Sequence, residues 1–292
     1  MPYTAPITEL VRQRYSCRSY LEQPIQTETR KKLADFASSL KTGPLGTRSR
    51  FELVASSDGD RSALKKLGTY GFIKGATGFI VGATEQAEMN LEDFGYQLER
   101  IVLYATDLDL GTCWLGGTFT KSSFAKKISA RNDEIVPAVI SVGYIAKKPR
   151  TVEKLIRQGA NADRRLPWDQ LFFDGEMGEP LQREDAKSYV EPLEMVRLGP
   201  SASNKQPWRI FKDGGRWHFY LQRTRGYKQR RSVKLFTVAD LQRIDMGIAM
   251  CHFELTALEL GLDGYWEIKD PGSIKPDELI EYTITWVGSA VN

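Results

Sequence analysis

Arg14, Ser16 and Arg18 alternate along the segment Arg14-Tyr15-Ser16-Cys17-Arg18-Ser19-Tyr20. If that segment is extended, the three side chains leave one face. Two guanidiniums and a hydroxyl on one face can hold a phosphate, or the carbonyl-rich edge of a planar heterocycle, by charge-assisted hydrogen bonds. The plain alternative is a basic surface turn. A second segment, Gly199-Pro200-Ser201-Ala202-Ser203-Asn204-Lys205-Gln206-Pro207-Trp208, sets short hydroxyl and amide side chains between two prolines. Short side chains on a stiff backbone let a flat ligand approach and meet exposed N–H groups. The third is Trp114-Leu115-Gly116-Gly117, read as a loop after a long helix, where paired glycines permit close backbone approach. The fourth is Asp163-Arg164-Arg165-Leu166-Pro167, a basic stretch able to supply phosphate ligands or to serve as a solvated loop.

Local patterns predict the elements that carry these segments. Thr8 to Tyr15 reads as a short helix, and Glu28 to Leu40 as a second one capped by Thr27. Phe51 to Ser56 and Phe79-Ile80-Val81 read as strands. Asn90 is expected to cap a long helix with Leu91, Phe94, Leu98, Ile101, Val102, Ala105 and Leu108 on its apolar face. Glu134 to Tyr144 and Glu278 to Gly288 read as matching buried strands, and Trp208 to Phe211 as another. Helices interspersed with strands, without regular βαβ units, predict an α+β fold.

One pattern occurs twice, 152 positions apart. Asp93-x-Gly95, then Leu103, Ala105, Leu108, Leu110 and Trp114, repeats as Asp245-x-Gly247, then Leu255, Ala257, Leu260, Leu262 and Trp266. Gly199-Pro200 in the second half echoes Gly43-Pro44 in the first. The chain reads as one structural unit written twice, a tandem pseudo-dimer with halves 1–175 and 176–292 joined through a polar stretch. Two copies in one chain are free to diverge.

The bulk numbers narrow the function classes. With 292 residues, 41% hydrophobic and 27% charged, the composition is that of a globular protein. A net charge of +4 is too mild to argue for nucleic acid and suits a small anionic ligand. No apolar run is long enough to span a membrane, and Met1 to Glu9 lacks a signal-peptide layout. Three cysteines (Cys17, Cys113, Cys251) and two histidines (His218, His252) make no metal pattern, and buried thiols suit a reducing cytoplasm. Neither a GxGxxG after a strand nor a GxxxxGK[ST] is present. His218 and His252 read as structural, and Cys17 as a packed thiol. The basic run Arg223, Arg225, Lys228, Arg230, Arg231 and Lys234 reads as a solvated loop, with a lid for NADPH phosphates as the sharper reading.

Taken together, the four segments resemble the FMN-dependent nitroreductase family. The motifs Arg-x-Ser-x-Arg-x-Tyr, Leu-Gly-x-x-Trp-Leu-Gly-Gly, Arg-Arg-Leu-Pro and Pro-Ser-Ala-x-Asn-x-Gln-Pro-Trp carry the likeness, which covers nearly the whole chain. More narrowly, the chain resembles the branch in which two family units are fused in one polypeptide. The resemblance implies a mixed, mostly antiparallel sheet flanked by helices, with FMN at the interface of two units. It implies FMN-binding roles for Arg14, Tyr15, Ser16, Arg18, Leu115, Gly116, Gly117, Arg164 and Arg165 from the first half. From the second half it implies Pro200, Ser201, Ala202, Ser203, Asn204 and Gln206. Arg14 and Arg18 would face the pyrimidine edge, Gly116-Gly117 would offer an N–H to N5, and Arg164 and Arg165 would meet the phosphate. No side chain is assigned as an obligatory catalytic acid or base. The implied activity is NADH- or NADPH-driven reduction of a small electron acceptor, a nitro compound or quinone, by ping-pong hydride transfer. The alternative is a non-catalytic FMN carrier or sensor. A monomer acting as a pseudo-dimer is expected, in the cytoplasm.

The departures from the family pattern are complementary. The first half has Gly43-Pro44-Leu45-Gly46-Thr47 where the Pro-Ser turn would stand. The second half lacks the arginine opening and has Ile268-Lys269 in place of the paired glycines. One complete site is therefore expected, and the pseudosymmetric one should be dead.

Overall fold

A computed structural model of the chain describes residues 2–57, 60, 62–64, 66–147, 153, 158–159, 161, 164–226, 239–272 and 279–289. The described strands form two sheets. In the first, β1 (Ser49–Ala55), β2 (Gly78–Glu85), β5 (Val139–Gly143) and β3 (Gly111–Leu115) lie in the order β1-β2-β5-β3, and β4 (Glu134–Ile135) also pairs with β2. In the second, β6 (Phe172–Asp174), β7 (Trp208–Asp213), β8 (Arg216–Gln222), β10 (Ile280–Gly288) and β9 (Gly264–Glu267) lie in the order β6-β7-β8-β10-β9. Without β4 and β6, the two orders are the same topology. Every pairing is antiparallel except β6 with β7. The fold is thus α+β, written twice, as the sequence pattern predicts.

The first half adds α1 (Ile7–Gln13), α2 (Thr27–Ser39), α3 (Asn90–Asp107) and α4 (Lys121–Lys127); the second adds α5 (Val190–Leu198) and α6 (Leu241–Glu259). The repeated Asp-x-Gly pattern lies where α3 and α6 cross. A Cβ on Gly95 would stand 2.3 Å from the Ile244 carbonyl oxygen, and one on Gly247 would stand 2.0 Å from that of Glu92. Glu92 and Ile244 are themselves repeat equivalents, so the contacts are reciprocal across a pseudo-twofold, the arrangement of an isologous dimer interface. Glycine is needed here because backbone meets backbone.

The two largest cores each draw on both halves, while a third, around Phe79, Phe119 and Phe124, lies wholly in the first. Ile7, Leu10 and Val11 of α1 pack with Trp208, Trp217, Phe253 and Trp286 of the second half. Ile244 and Ile248 of α6 pack with Phe51, Phe94 and Leu98 of the first. Burying one such large apolar side chain stabilises by roughly 1.5–3 kcal/mol, so the interface between halves is a core in its own right.

Several local readings change. Thr27 is the first helical residue and makes no capping hydrogen bond; Asn90 likewise opens α3, its amide donating instead to the Glu85 carbonyl at 2.9 Å. Gly111 to Leu115 is a strand, so Trp114 and Leu115 end β3 and the glycines follow it. The expected strand Glu134 to Tyr144 is divided into β4 and β5, because Pro137 has no N–H for the ladder. Arg223 is no lid cation. It is buried, paired with Asp240 at 2.9 Å and Glu281 at 2.6 Å. Lys228, Arg230, Arg231 and Lys234 lie outside the described residues, as does Asp163. Among the described residues, no helix is long and apolar enough to cross a membrane.

Candidate functional site

The chain leaves α1 at Arg14 in extended conformation and runs beside β3. The Cys17 amide donates to the Thr112 carbonyl at 2.8 Å. Alternation follows: Cys17 and Ser19 are buried, while Ser16 and Arg18 are half-buried on the other face. Glu153, itself buried, accepts from the Arg18 amide at 3.2 Å and the Ser19 hydroxyl at 2.5 Å, fixing the segment from behind. Arg14 does not join Ser16 and Arg18. Its buried guanidinium lies 3.8 Å from Glu99, because the helix end redirects it inward. Glu99 also accepts from Trp114 Nε1 at 2.7 Å and lies 3.0 Å from His252 Nε2. His252 Nδ1 lies 2.9 Å from the Met195 carbonyl, which can only accept, so that nitrogen carries the hydrogen. This network, fully buried at Glu99 and His252, ties the halves together and places His252 structurally.

Gly116, just after β3, lies against the other half. A Cβ on Gly116 would stand 2.5 Å from Leu241 Cδ2, at the start of α6. The opposing wall comes from the turn after α5. Ser203, Asn204 and Gln206 all take left-handed φ, at 52°, 54° and 48°, a strained backbone for non-glycine residues. Ser201 Oγ accepts from the Gln206 amide at 2.8 Å, and the Asn204 amide donates to the Ser201 carbonyl at 2.9 Å. Asp245, from the repeat, accepts from the Ala202 amide. The basic tail closes the turn from outside. Asn204 Nδ2 donates to the carbonyls of Asn161 and Arg164 at 2.6 and 2.8 Å, and Gln206 Oε1 accepts from the Leu166 amide at 2.8 Å. Arg165 donates to the Leu198 carbonyl at 3.1 Å.

Between these walls lies a cavity of about 270 Å³, near the lower edge of the roughly 300–1,000 Å³ usual for small-molecule sites. Ser16, Arg18, Leu115, Gly116 and Gly117 line it from the first half, and Pro200, Ser201, Ala202 and Ser203 from the second. The other six expected residues lie off its described wall. Arg14 and Tyr15 line a separate, smaller pocket, and Asn204, Gln206, Arg164 and Arg165 join tail to turn. Sequence reading missed Leu241, Ile244 and Ile248, one stripe of α6, and Phe72, Thr118, Ala138 and Asp245. The repeat spelling was the available signal for Asp245, and helical spacing for the stripe.

Charge in the cavity is sparse. Burial pushes the Asp245 carboxyl well above the usual range, against the Ala202 N–H that favours its charged form. Burial also pushes the Cys17 thiol up to about 11 and raises that of Cys113, the latter opposed by Arg18 and Arg14. Neither is a thiolate at neutral pH, so thiolate chemistry is disfavoured. What remains is an apolar floor, two glycines without side chains, one half-buried guanidinium and small hydroxyls. That is a site for a flat, polar-edged ring system.

The family model described as "Putative TM nitroreductase" matches residues 6–257. No curated protein sequence matches the chain significantly. Among solved structures, a protein from Thermotoga maritima described as a putative nitroreductase shares 20% identity at a TM-score of 0.60. That alignment covers 98% of this chain and 95% of the other, so the fold is shared through both halves. A nitroreductase family protein from Clostridium difficile shares 20% identity at a TM-score of 0.40, over 55% of this chain and 92% of its own. One from Clostridium novyi shares 19% identity at 0.38, over 48% and 87%. With the family match running from α1 through α6, the chain belongs to the nitroreductase-like family.

Proposed function

We propose that the chain is an FMN-dependent oxidoreductase. It holds one FMN between its halves and passes reducing equivalents from NADH or NADPH to a small acceptor such as a nitro compound or quinone. The observation that carries this reading is the convergence of Ser16, Arg18, Gly116 and Gly117 with Pro200 to Ser203 on one cavity, from opposite halves. When bound, FMN supplies the two-electron chemistry, and the protein binds, orients and tunes it. Arg18 favours negative charge at the edge of a reduced ring. Gly116 and Gly117 let the ring meet backbone, and Ser201 and Ser203 offer hydroxyls. The floor of Leu241, Ile244 and Ile248 excludes water. Arg164, exposed beside the turn, and Arg165 on its flank are assigned the phosphate. Arg14 holds the segment through Glu99.

A single site per chain is supported by the state of the other half. There Leu45 takes the role of Ala202, donating its amide to the repeat aspartate, but its side chain packs onto the second core. Ile268 is 60% exposed where the paired glycines would stand. We divide the chain into functional halves 1–175 and 176–292, with the tail of the first reaching over to supply β6 to the second sheet.

The test is a visible spectrum and titration of purified protein. Flavin bands are expected, saturating at one FMN per chain, bleached by NADH or NADPH and restored by a quinone. Saturation at two would remove the single-site claim. Bound flavin that no nicotinamide bleaches would make the chain a carrier. An empty spectrum after added FMN would remove the flavin reading altogether.

A further inference from the structure

The repeat aspartates are equivalent in sequence but not in their hydrogen bonding. Asp93 is saturated: Oδ1 accepts from the Leu45 amide at 2.9 Å and Oδ2 from the Thr47 amide at 2.7 Å. Gly43 presses on the same carboxyl, so closely that a Cβ there would lie 2.2 Å from Asp93 Cγ. Asp245 has one donor for two oxygens among the described residues. The Ala202 amide is forked between them at 3.0 and 3.1 Å. The second amide is withdrawn, because Asn204, two residues beyond Ala202 as Thr47 is beyond Leu45, turns its N–H to the Ser201 carbonyl at 2.9 Å. The left-handed backbone at Ser203 and Asn204 makes that turn possible. Asp245 is only 3% exposed, so bulk water does not make up the shortfall, and it lines the cavity beside Ser201 and Ala202.

A buried carboxyl with spare capacity at a cavity wall is costly to leave without a partner. We propose that Asp245 is a ligand-contacting residue of this cavity: it accepts the Ala202 N–H and donates a hydrogen bond to a carbonyl or imine acceptor on the edge of the bound ring. Asp93 is its structural counterpart, spent on holding the vestigial turn. The direction of the bond follows from burial, which favours the neutral carboxyl and so gives it an O–H to donate. The ligand class rests on the flavin reading above, and the test separates the two.

Stripped wild type, Asp245→Asn, Asp245→Ala and Asp93→Ala are each titrated with FMN by fluorescence quenching and melted without ligand. Asparagine preserves the geometry, its oxygen accepting from Ala202 and its amide donating to the ring. Its affinity should stay within about threefold of wild type, whereas Asp245→Ala should lose about tenfold or more, the effect of one hydrogen bond. Asp245→Ala should melt at or above wild type, since it removes an under-partnered buried carboxyl. Asp93→Ala should melt lower and keep its FMN affinity, provided it folds. Wild-type affinity in Asp245→Ala overturns the contact. An Asp245→Asn as weak as the alanine variant overturns the donor assignment. Failure of wild type itself to bind FMN overturns the flavin reading instead.

Discussion

An alanine at Gly247 would place its Cβ 2.0 Å from the Glu92 carbonyl oxygen, and one at Gly95 would meet Ile244 in the same way. Two effects oppose each other there. Alanine is the better helix former by about 1 kcal/mol. Overpacking against a backbone atom typically costs about 1–3 kcal/mol or more, because no side chain can rotate out of the way. Packing should win. Gly247→Ala is therefore expected to lower stability by about 2 kcal/mol in urea unfolding, and Gly95→Ala by a similar amount given the pseudo-twofold. A more stable Gly247→Ala would show that the helices are free to separate. The residue scale also separates side chains that local pattern treats alike. Ser16 and Arg18 follow the two-residue alternation into the cavity, and Arg14, the residue that caps α1, turns instead toward Glu99.

At the scale of elements, the first sheet is closed at one end by a clasp between β1 and β4. Arg50 Nε and Nη2 each reach a different oxygen of Glu134, both at 2.9 Å, a two-point pairing stronger than a single surface contact. The hydrogen bond from Arg50 holds the Glu134 carboxyl at about 2, far below its usual 4.5. Because the folded value is depressed, the clasp stabilises fully above about 4.5 and its contribution is lost as pH falls toward 2. Melting temperature measured from pH 7 down to 2 should show wild type above Glu134→Gln at neutral pH, with the gap closing at the acid end. A gap that stays constant would assign the loss to packing instead of charge. The same region shows why one predicted strand became two. Pro137 interrupts the ladder, and the break leaves Ala138 in the cavity wall.

At the scale of the whole molecule, neither of the two largest cores is built by one half alone. The apolar face of α1 is buried in the second half, α6 completes the core of the first, and β6 crosses to pair with β7. Residues 1–175 expressed alone would expose Ile7, Leu10 and Val11, and 176–292 would lack both α1 and β6. Each fragment should aggregate and fail to bind FMN, as large exposed apolar faces do. Co-expressed, the two should reassemble and regain flavin, read by gel filtration and absorbance. Tight FMN binding by monomeric 1–175 would place the whole site in the first half.

The duplication, the α+β class, the long helices and the division of motifs between halves were legible in the residues themselves, because periodicity, glycine spacing and proline placement are local properties. So were nine of the cavity residues, all on segments whose backbone is special in its own right: an extended run, a pair of glycines, a proline-bounded turn. The tertiary structure decided what depends on a partner far along the chain. A Cβ at Gly116 would crowd the Leu241 side chain, which arrives from the other half. Asn204 and Gln206 hold the basic tail because Asn161, Arg164 and Leu166 return beside their turn. Asp93 and Asp245, identical in spelling, differ because one turn offers its carboxyl two amides and the other offers one. A sequence repeat specifies that both carboxyls are buried at the helix crossing; only packing determines how many donors each one finds there.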